Sequence, residues 1–172
     1  MTTAHGTRRR LFVAKDEHKF SCAHMTLFPD GTKERLHGHN YRVSVSVEFE
    51  PEQGEGFLDF ARVKATLAGL CAELREHLLM PTEAEAVTLI HRDDESTEMR
   101  VCGKRYVLPS DELIWLPMPN VVVEHLAEYL WGRIARDLEV DLRRANVHSM
   151  EVTVTEAPGQ GATFQAAPGS LR

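Results

Sequence analysis

Two histidines separated by one glycine, His37-Gly38-His39, have the residue types and spacing of a metal site. In extended backbone the side chains of residues i and i+2 project from one face, so both imidazoles can approach one ion. His24 offers a third imidazole if its segment pairs antiparallel with theirs. Three neutral ring nitrogens with a fourth position open are the ligand set of a catalytic zinc site. An HGH tripeptide also arises by chance, so spacing alone leaves both interpretations open.

Two strands are predicted to position these histidines. Residues 41–49 alternate apolar with polar side chains, the period-two pattern of a strand with one buried face. Residues 11–24 are a weaker strand candidate, in which His24 shares a face with Phe20. Residues 28–32 have the composition of a turn, so the two strands are expected to form an antiparallel pair.

Two helices are predicted further along the chain. Leucines recur at three- and four-residue spacing after Asp59, which can act as the N-cap, and Pro81 is expected to end this helix. The second helix is expected to begin after Asn120, which can cap it, and to end near Glu139.

Residues 82–117, between the helices, predict an insertion that contains a hairpin, because two short β-like runs flank a polar stretch. Residues 150–156 alternate again, and a short strand is predicted over 162–166. The chain is therefore expected to be a single α+β domain over residues 1–172, with a four-stranded antiparallel sheet and both helices on one face. Open sheet edges favour a homo-oligomer.

The composition excludes several classes of protein. The 20 Lys and Arg residues are outnumbered by 26 Asp and Glu, and the net charge of -6 argues against a nucleic-acid-binding protein. No apolar run approaches the roughly 18 residues of a membrane-spanning helix, so no membrane partner is expected. Three cysteines with no CxxC spacing are typical of a reducing compartment, and we expect a cytoplasmic protein.

Longer motifs that surround the histidines resemble one enzyme family. The motifs are Phe20-Ser21-Cys22-Ala23-His24, Leu36-His37-Gly38-His39-Asn40-Tyr41, Gly56-Phe57-Leu58-Asp59-Phe60, Pro119-Asn120 with Glu124-His125-Leu126-Ala127, and Val152-Thr153-Val154-Thr155-Glu156. Together they resemble the family of 6-pyruvoyl-tetrahydropterin synthase and 6-carboxytetrahydropterin synthase. The resemblance spans most of the chain apart from the N-terminal tail and the insertion.

The resemblance implies a tunnelling fold, in which sheets of several subunits close a barrel and the active sites lie between neighbours of a homo-hexamer. It also implies Zn²⁺ held by His24, His37 and His39. The implied reaction is that of a lyase of pterin or 7-deazapurine (queuosine) synthesis, and the implied substrate is 7,8-dihydroneopterin triphosphate. A Lewis acid on the side-chain hydroxyls of this substrate would lower their pKa.

Glu156 has the parity of Val152 and Val154, so a carboxylate falls on an otherwise apolar face of its strand. A buried charge needs a partner, and a pterin ring offers adjacent N–H donors that a carboxylate can accept. By parity alone, a solvated glutamate at the strand end is an equal alternative. The resemblance implies the role of substrate-binding anchor for Glu156.

The sequence departs from the family at the catalytic base, which is a cysteine four residues before HGH in the members that make the pyruvoyl or carboxy product. Lys33 occupies that position here, and Cys22 is interpreted as a small buried residue or as a neighbour of the metal. Glu34 fits the ExxHGH pattern of a variant subgroup that instead leaves 6-hydroxymethyl-7,8-dihydropterin. Glu34 is either the base, with a pKa raised by desolvation, or a solvated surface residue.

The family's second proton-transfer element is an Asp-His pair after the first helix, and Glu76-His77 is the nearest match. The resemblance therefore implies catalytic roles for His77 and Glu76, in which the carboxylate orients the imidazole or tunes its pKa. The missing cysteine also leaves open a catalytically inactive module that binds zinc and a pterin.

Overall fold

The computed structural model describes residues 8–49 and 58–170, which form two sheets and three α-helices. The strands are β1 (Arg9–Val13), β2 (Lys19–His24), β3 (His37–Phe49), β4 (Leu78–Pro81), β5 (Val87–Arg92), β6 (Ser96–Val101), β7 (Lys104–Pro109), β8 (Leu113–Leu116), β9 (Val147–Ala157) and β10 (Gln160–Ala166). The helices are α1 (Phe60–Leu74), α2 (Val123–Asp137) and α3 (Glu139–Arg144).

The main sheet has seven strands, in the order β10-β9-β3-β2-β4-β8, and β1 pairs with the far part of β3. The α+β class is confirmed, but the prediction of four antiparallel strands is wrong. The sheet has three strands more than predicted, and two of its strand pairs, β2-β4 and β4-β8, are parallel. All four residues of β4 are buried, and such a strand shows no alternation, which is why the period-two pattern did not reveal it.

The predicted antiparallel pairing of β2 with β3 is confirmed. His24 lies opposite His37, and Cys22 lies opposite His39. The alternation of β3 buries one face in the core, which packs against α1 and α2. The pairing therefore places the ends of the two strands that carry histidines side by side.

Helix α1 begins where the sequence predicts, because the Asp59 side chain accepts a hydrogen bond of 2.8 Å from the Ala61 amide. Its predicted end at Pro81 is wrong, since the helix stops at Leu74 and Pro81 ends strand β4. Glu76 adopts the left-handed region, with φ of 61°, and reverses the chain between the two elements. The apolar run that follows is buried in the sheet instead of continuing the helix.

Helix α2 lies within the predicted limits, but Asn120 does not cap it. The N-cap is Val122, whose side chain makes no capping hydrogen bond. The Asn120 side chain bonds to the backbone of Leu27 instead. No helix of the described residues is long and apolar enough to cross a membrane.

The insertion over residues 82–117 contains more than the predicted hairpin. β5, β6 and β7 form a three-stranded antiparallel sheet, and β8 joins the main sheet. The polar stretch predicted to separate two strands includes the start of β6, whose Met99 and Val101 are buried against Met80. These contacts form a small apolar cluster between the insertion and the main sheet.

The cap on α1 gives a first prediction. Asp59→Ala removes the acceptor for the Ala61 amide and should lower the free energy of unfolding by about 1 kcal/mol, measured by urea denaturation. Asp59→Asn keeps an acceptor oxygen and should stay within a few tenths of a kcal/mol of the parent chain. Equal stability of all three proteins would contradict this role.

Candidate active site

Three imidazoles meet where β2 ends and β3 begins. His24 is buried, and His37 and His39 follow at alternate positions of β3, so all three lie on the same face. Their candidate ligand atoms lie within 4.8 Å of one another, and Nε2 of His37 is 3.0 Å from Nε2 of His39. In a tetrahedral zinc site with Zn–N bonds of about 2.05 Å, two ligand nitrogens are roughly 3.3 Å apart. The observed spacing fits such an ion.

Backbone carbonyls fix the orientation of two of these rings. His24 Nδ1 donates to the Val121 carbonyl at 2.8 Å, and His37 Nδ1 donates to the Arg35 carbonyl at 2.7 Å. Each neutral ring then has an unprotonated Nε2, which is the atom that can bind a metal. Metal-ligating histidines in proteins generally donate their other nitrogen in this way. The three histidines could therefore hold a metal ion.

Burial also favours the neutral form of His24, whose pKa is lowered by desolvation. The hydrogen bond to the Val121 carbonyl raises this pKa, whereas the neighbouring imidazoles of His37 and His39 lower it further by smaller amounts. The Tyr41 hydroxyl lies 3.2 Å from His24 Nε2 and can donate to it. A neutral, buried imidazole is the form that binds a divalent cation.

Asn120 connects the two segments that hold His24 in place. Its Oδ1 accepts from the Leu27 amide at 3.0 Å, and its Nδ2 donates to the Leu27 carbonyl at 2.9 Å. The next residue, Val121, supplies the carbonyl that orients His24. Asn120 thus ties the loop after β2 to the start of α2. This role was missed because the sequence pattern of Asn before a helix indicates a cap.

Two carboxylates flank the histidines. Glu34 Oε2 lies 3.8 Å from His37 Nε2, and Glu156 Oε2 lies 3.9 Å from His39 Nε2. The Glu156 side chain is 16% exposed, against 43% for Glu34. Both line a cavity of about 350 Å³, the triad cavity, together with the three histidines and Gln160. The structure therefore brings together five of the seven predicted site residues.

The pKa of the Glu34 carboxyl is shifted in the direction opposite to the one predicted from desolvation. A hydrogen bond from the Thr26 side chain lowers the pKa of this carboxyl and outweighs a smaller opposing effect of desolvation. The predicted rise in its pKa is therefore wrong, because the side chain is too exposed for desolvation to dominate. Glu34 is an ionised carboxylate beside the histidines.

No thiolate base is provided by Lys33, which occupies the position of the family's cysteine, or by the nearby thiol of Cys22. Lys33 Nζ donates to the Glu34 carbonyl at 2.9 Å and lies 5.2 Å from the centre of the Tyr106 ring, which belongs to the insertion. Cys22 is buried, and desolvation raises its pKa to about 12, so it stays protonated. Among the described residues that line the triad cavity, none is a cysteine.

Glu76 and His77 are not brought to the triad cavity. They line a second cavity of about 510 Å³, the His77 cavity, to which His39 also contributes. The Glu76 amide donates to the Ser21 carbonyl at 2.7 Å, and His77 Nδ1 donates to the Arg75 carbonyl at 2.6 Å. The pair occupies the turn before β4, beside the edge of β2, and its catalytic role stays a prediction.

Comparison with known proteins identifies the family. The model of the family described as PTPS, 6-pyruvoyl tetrahydropterin synthase, matches residues 13–167. The chain belongs to this family. It is 33% identical over 148 residues to a protein of Methanocaldococcus jannaschii named putative 6-carboxy-5,6,7,8-tetrahydropterin synthase, with 86% of this chain and 89% of that protein covered. A Pyrococcus abyssi protein of the same name is 28% identical over 150 residues, covering 84% and 85% of the two chains.

Solved structures of the family have the same fold. The 6-pyruvoyl tetrahydropterin synthase of Plasmodium vivax superposes with a TM-score of 0.85 at 27% identity, covering 94% of this chain and 99% of that one. The Plasmodium falciparum protein gives a TM-score of 0.84 at 24% identity, covering 93% and 98%. These matches confirm the resemblance inferred from the motifs. Members of the family are pterin-processing lyases.

The histidine geometry gives a second prediction. The purified protein should contain close to one divalent metal ion per chain by elemental analysis, and His37→Ala should lose nearly all of it while staying folded, because two imidazoles hold the ion too weakly. His91→Ala is the matched control, since His91 is an exposed histidine of β5 that bonds to Asp93. Full metal content in His37→Ala would refute the site.

Proposed function

We propose that this chain is a zinc-dependent lyase that acts on the side chain of 7,8-dihydroneopterin triphosphate, in pterin or 7-deazapurine synthesis. The observation that carries this proposal is the convergence of His24, His37 and His39, two of them oriented by backbone carbonyls, between two carboxylates. Zinc suits three neutral nitrogen ligands, and when bound it supplies a Lewis acid that acidifies the hydroxyls of the substrate.

Glu156 is proposed to anchor the pterin ring. Its carboxylate lies at the edge of the triad cavity and is mostly buried, so an ionised side chain here benefits from a donor partner. The pterin ring presents adjacent N–H groups that a carboxylate can accept. The ring would thereby be oriented with its side chain towards the histidines.

Glu34 is proposed as the proton-accepting base. The Thr26 hydrogen bond lowers its pKa and so stabilises the ionised form, and its Oε2 lies 3.8 Å from His37 Nε2. A substrate hydroxyl or C–H group within the triad cavity would be close to this oxygen. The Plasmodium vivax relative supports the assignment, since it was solved as two variants in which a glutamate described as the catalytic residue is replaced by alanine or by cysteine.

His77 is proposed as a second proton-transfer group, with Glu76 as its neighbour. In a single chain these residues line the His77 cavity, and His39 is the only described residue that this cavity shares with the triad cavity. We therefore propose a homo-oligomer, a hexamer by family resemblance, in which His77 of one subunit serves a site completed by another.

The proposed location of the protein is the reducing cytoplasm, since Cys22, Cys71 and Cys102 are free thiols.

Two products are compatible with this site. The Methanocaldococcus and Pyrococcus relatives are named for 6-carboxy-5,6,7,8-tetrahydropterin, which supports that product for this chain. The second candidate is 6-hydroxymethyl-7,8-dihydropterin. It is favoured by Glu34 beside the histidines and by the lack of a cysteine among the described residues of the triad cavity.

Turnover gives the third prediction. The zinc-loaded protein should convert 7,8-dihydroneopterin triphosphate into a pterin whose mass distinguishes the two products. Glu34→Gln keeps the shape of the side chain but cannot accept the proton, so kcat should fall by about 10²- to 10⁴-fold. Glu128→Gln, which changes an exposed glutamate of α2, should leave kcat unchanged.

The failures of this experiment are distinguishable. Zinc and pterin binding without turnover would indicate a binding module that lacks its base. A protein with zinc bound and no affinity for the pterin would refute the proposed substrate. Equal kcat in Glu34→Gln and the parent chain would remove Glu34 from the reaction and leave the lyase assignment in place.

Pterin affinity gives the fourth prediction. Glu156→Gln should weaken pterin binding by roughly 2 to 5 kcal/mol, because the mostly buried acceptor of the ring N–H groups loses its charge, while zinc content stays unchanged. Isothermal titration calorimetry with the zinc-loaded protein measures this. Glu151→Gln is the matched control, since Glu151 is on the same strand, is 21% exposed and pairs with Arg10. Equal affinity of Glu156→Gln and Glu151→Gln would remove Glu156 from the site.

A further inference from the structure

Gln160, at the start of β10, contacts the carboxylate proposed to bind the pterin. Its Nε2 donates to Glu156 Oε1 at 2.5 Å, and both side chains line the triad cavity. The other carboxylate oxygen, Oε2, lies on the side of His39 at 3.9 Å from Nε2. We infer that Gln160 is a positioning residue that holds one oxygen of Glu156 and leaves the other directed into the cavity. This inference rests on the proposed function.

The backbone explains why Gln160 meets Glu156. Gln160 pairs with Ala157 and Gly161 pairs with Thr155, so Glu156 is the extra residue of a β-bulge. A bulge leaves the extra residue without a partner on the neighbouring strand. Glu156 therefore has no partner residue on β10, and the Gln160 side chain reaches its carboxylate across the bulge.

Gly161 fixes this bulge in place. A Cβ atom at this position would lie 2.3 Å from the Val154 carbonyl oxygen, so only glycine fits without a shift of the backbone. The close approach of the two strands holds the start of β10 against the end of β9. The Gln160 side chain is therefore presented to Glu156 by a backbone that cannot easily rearrange.

The hydrogen bond has a direct consequence for ligand recognition. The terminal torsion of a glutamate is broad, so an isolated carboxylate would lose rotational freedom when it binds a ligand. The Gln160 amide restrains that torsion before the ligand arrives. Gln160 is thus expected to contribute affinity for the ring and nothing to metal binding.

The test compares two glutamines of the same strand. Gln160→Met keeps the length of the side chain and removes the donor, so the Kd for neopterin, measured by calorimetry on zinc-loaded protein, should rise about tenfold. Zinc content and Tm should stay at the values of the parent chain. Gln165→Met is the matched control, since Gln165 donates to Ser149 Oγ at 2.9 Å and lies outside the triad cavity. Its Kd should be unchanged.

A double-mutant cycle distinguishes positioning from direct contact. If Gln160 acts through the Glu156 carboxylate, Gln160→Met should have no further effect in the Glu156→Gln background. A full tenfold effect in that background would overturn the inference, because Gln160 would then bind the ligand by itself. Gln160→Glu is the second variant, and the repulsion of two adjacent carboxylates should weaken binding more than the loss of the donor does.

The outcomes separate this inference from the proposed function. If Glu156→Gln weakens binding and Gln160→Met does not, the positioning role of Gln160 is refuted, whereas the role of Glu156 as the pterin anchor is supported. If Glu156→Gln leaves the Kd for neopterin unchanged, the anchor and the positioning role both fall. A Gln160→Met protein with the Kd of Gln165→Met, or a full tenfold effect of Gln160→Met in the Glu156→Gln background, overturns the inference and leaves the anchor in place.

Discussion

The antiparallel pairing of β2 with β3 is the constraint on which the rest of this site depends. Its register sets His24 opposite His37, and the alternation of β3 adds His39 to the same face. A shift of the register by one residue would turn one strand over and direct its histidines away from the others. The buried face of β3 prevents such a shift, because its apolar residues would then face solvent.

The pairing by itself does not determine which ring nitrogen faces the centre of the site. The carbonyl of Val121 orients His24 across a sequence separation of 97 residues, and Asn120 binds Leu27 across a separation of 93. Burial adds to the effect by lowering the pKa of His24. The segment before α2 therefore belongs to the candidate metal site, although none of its side chains is proposed as a ligand.

The proposed catalytic groups are divided between two cavities. Glu34 and Glu156 share the triad cavity with the histidines, whereas His77 follows a left-handed turn into β4 and lines the other cavity. This division agrees with the proposal that subunits complete each other's sites. The Glu156 carboxylate also bonds to Gln160 of β10 across a β-bulge, so the neighbouring strand contributes to its surroundings.

Local periodicity in the sequence determined the β2-β3 pair, the start of α1 at Asp59 and the position of α2, and the motifs determined the family. These features depend on residues close together in the chain. Only the tertiary structure decided the burial of β4 as a parallel strand, the bond of Asn120 to Leu27, the low pKa of Glu34 and the cavity of His77. The physical reason is that hydrogen bonds, desolvation and strand partners from distant segments settle such features, and no local pattern of residues encodes them.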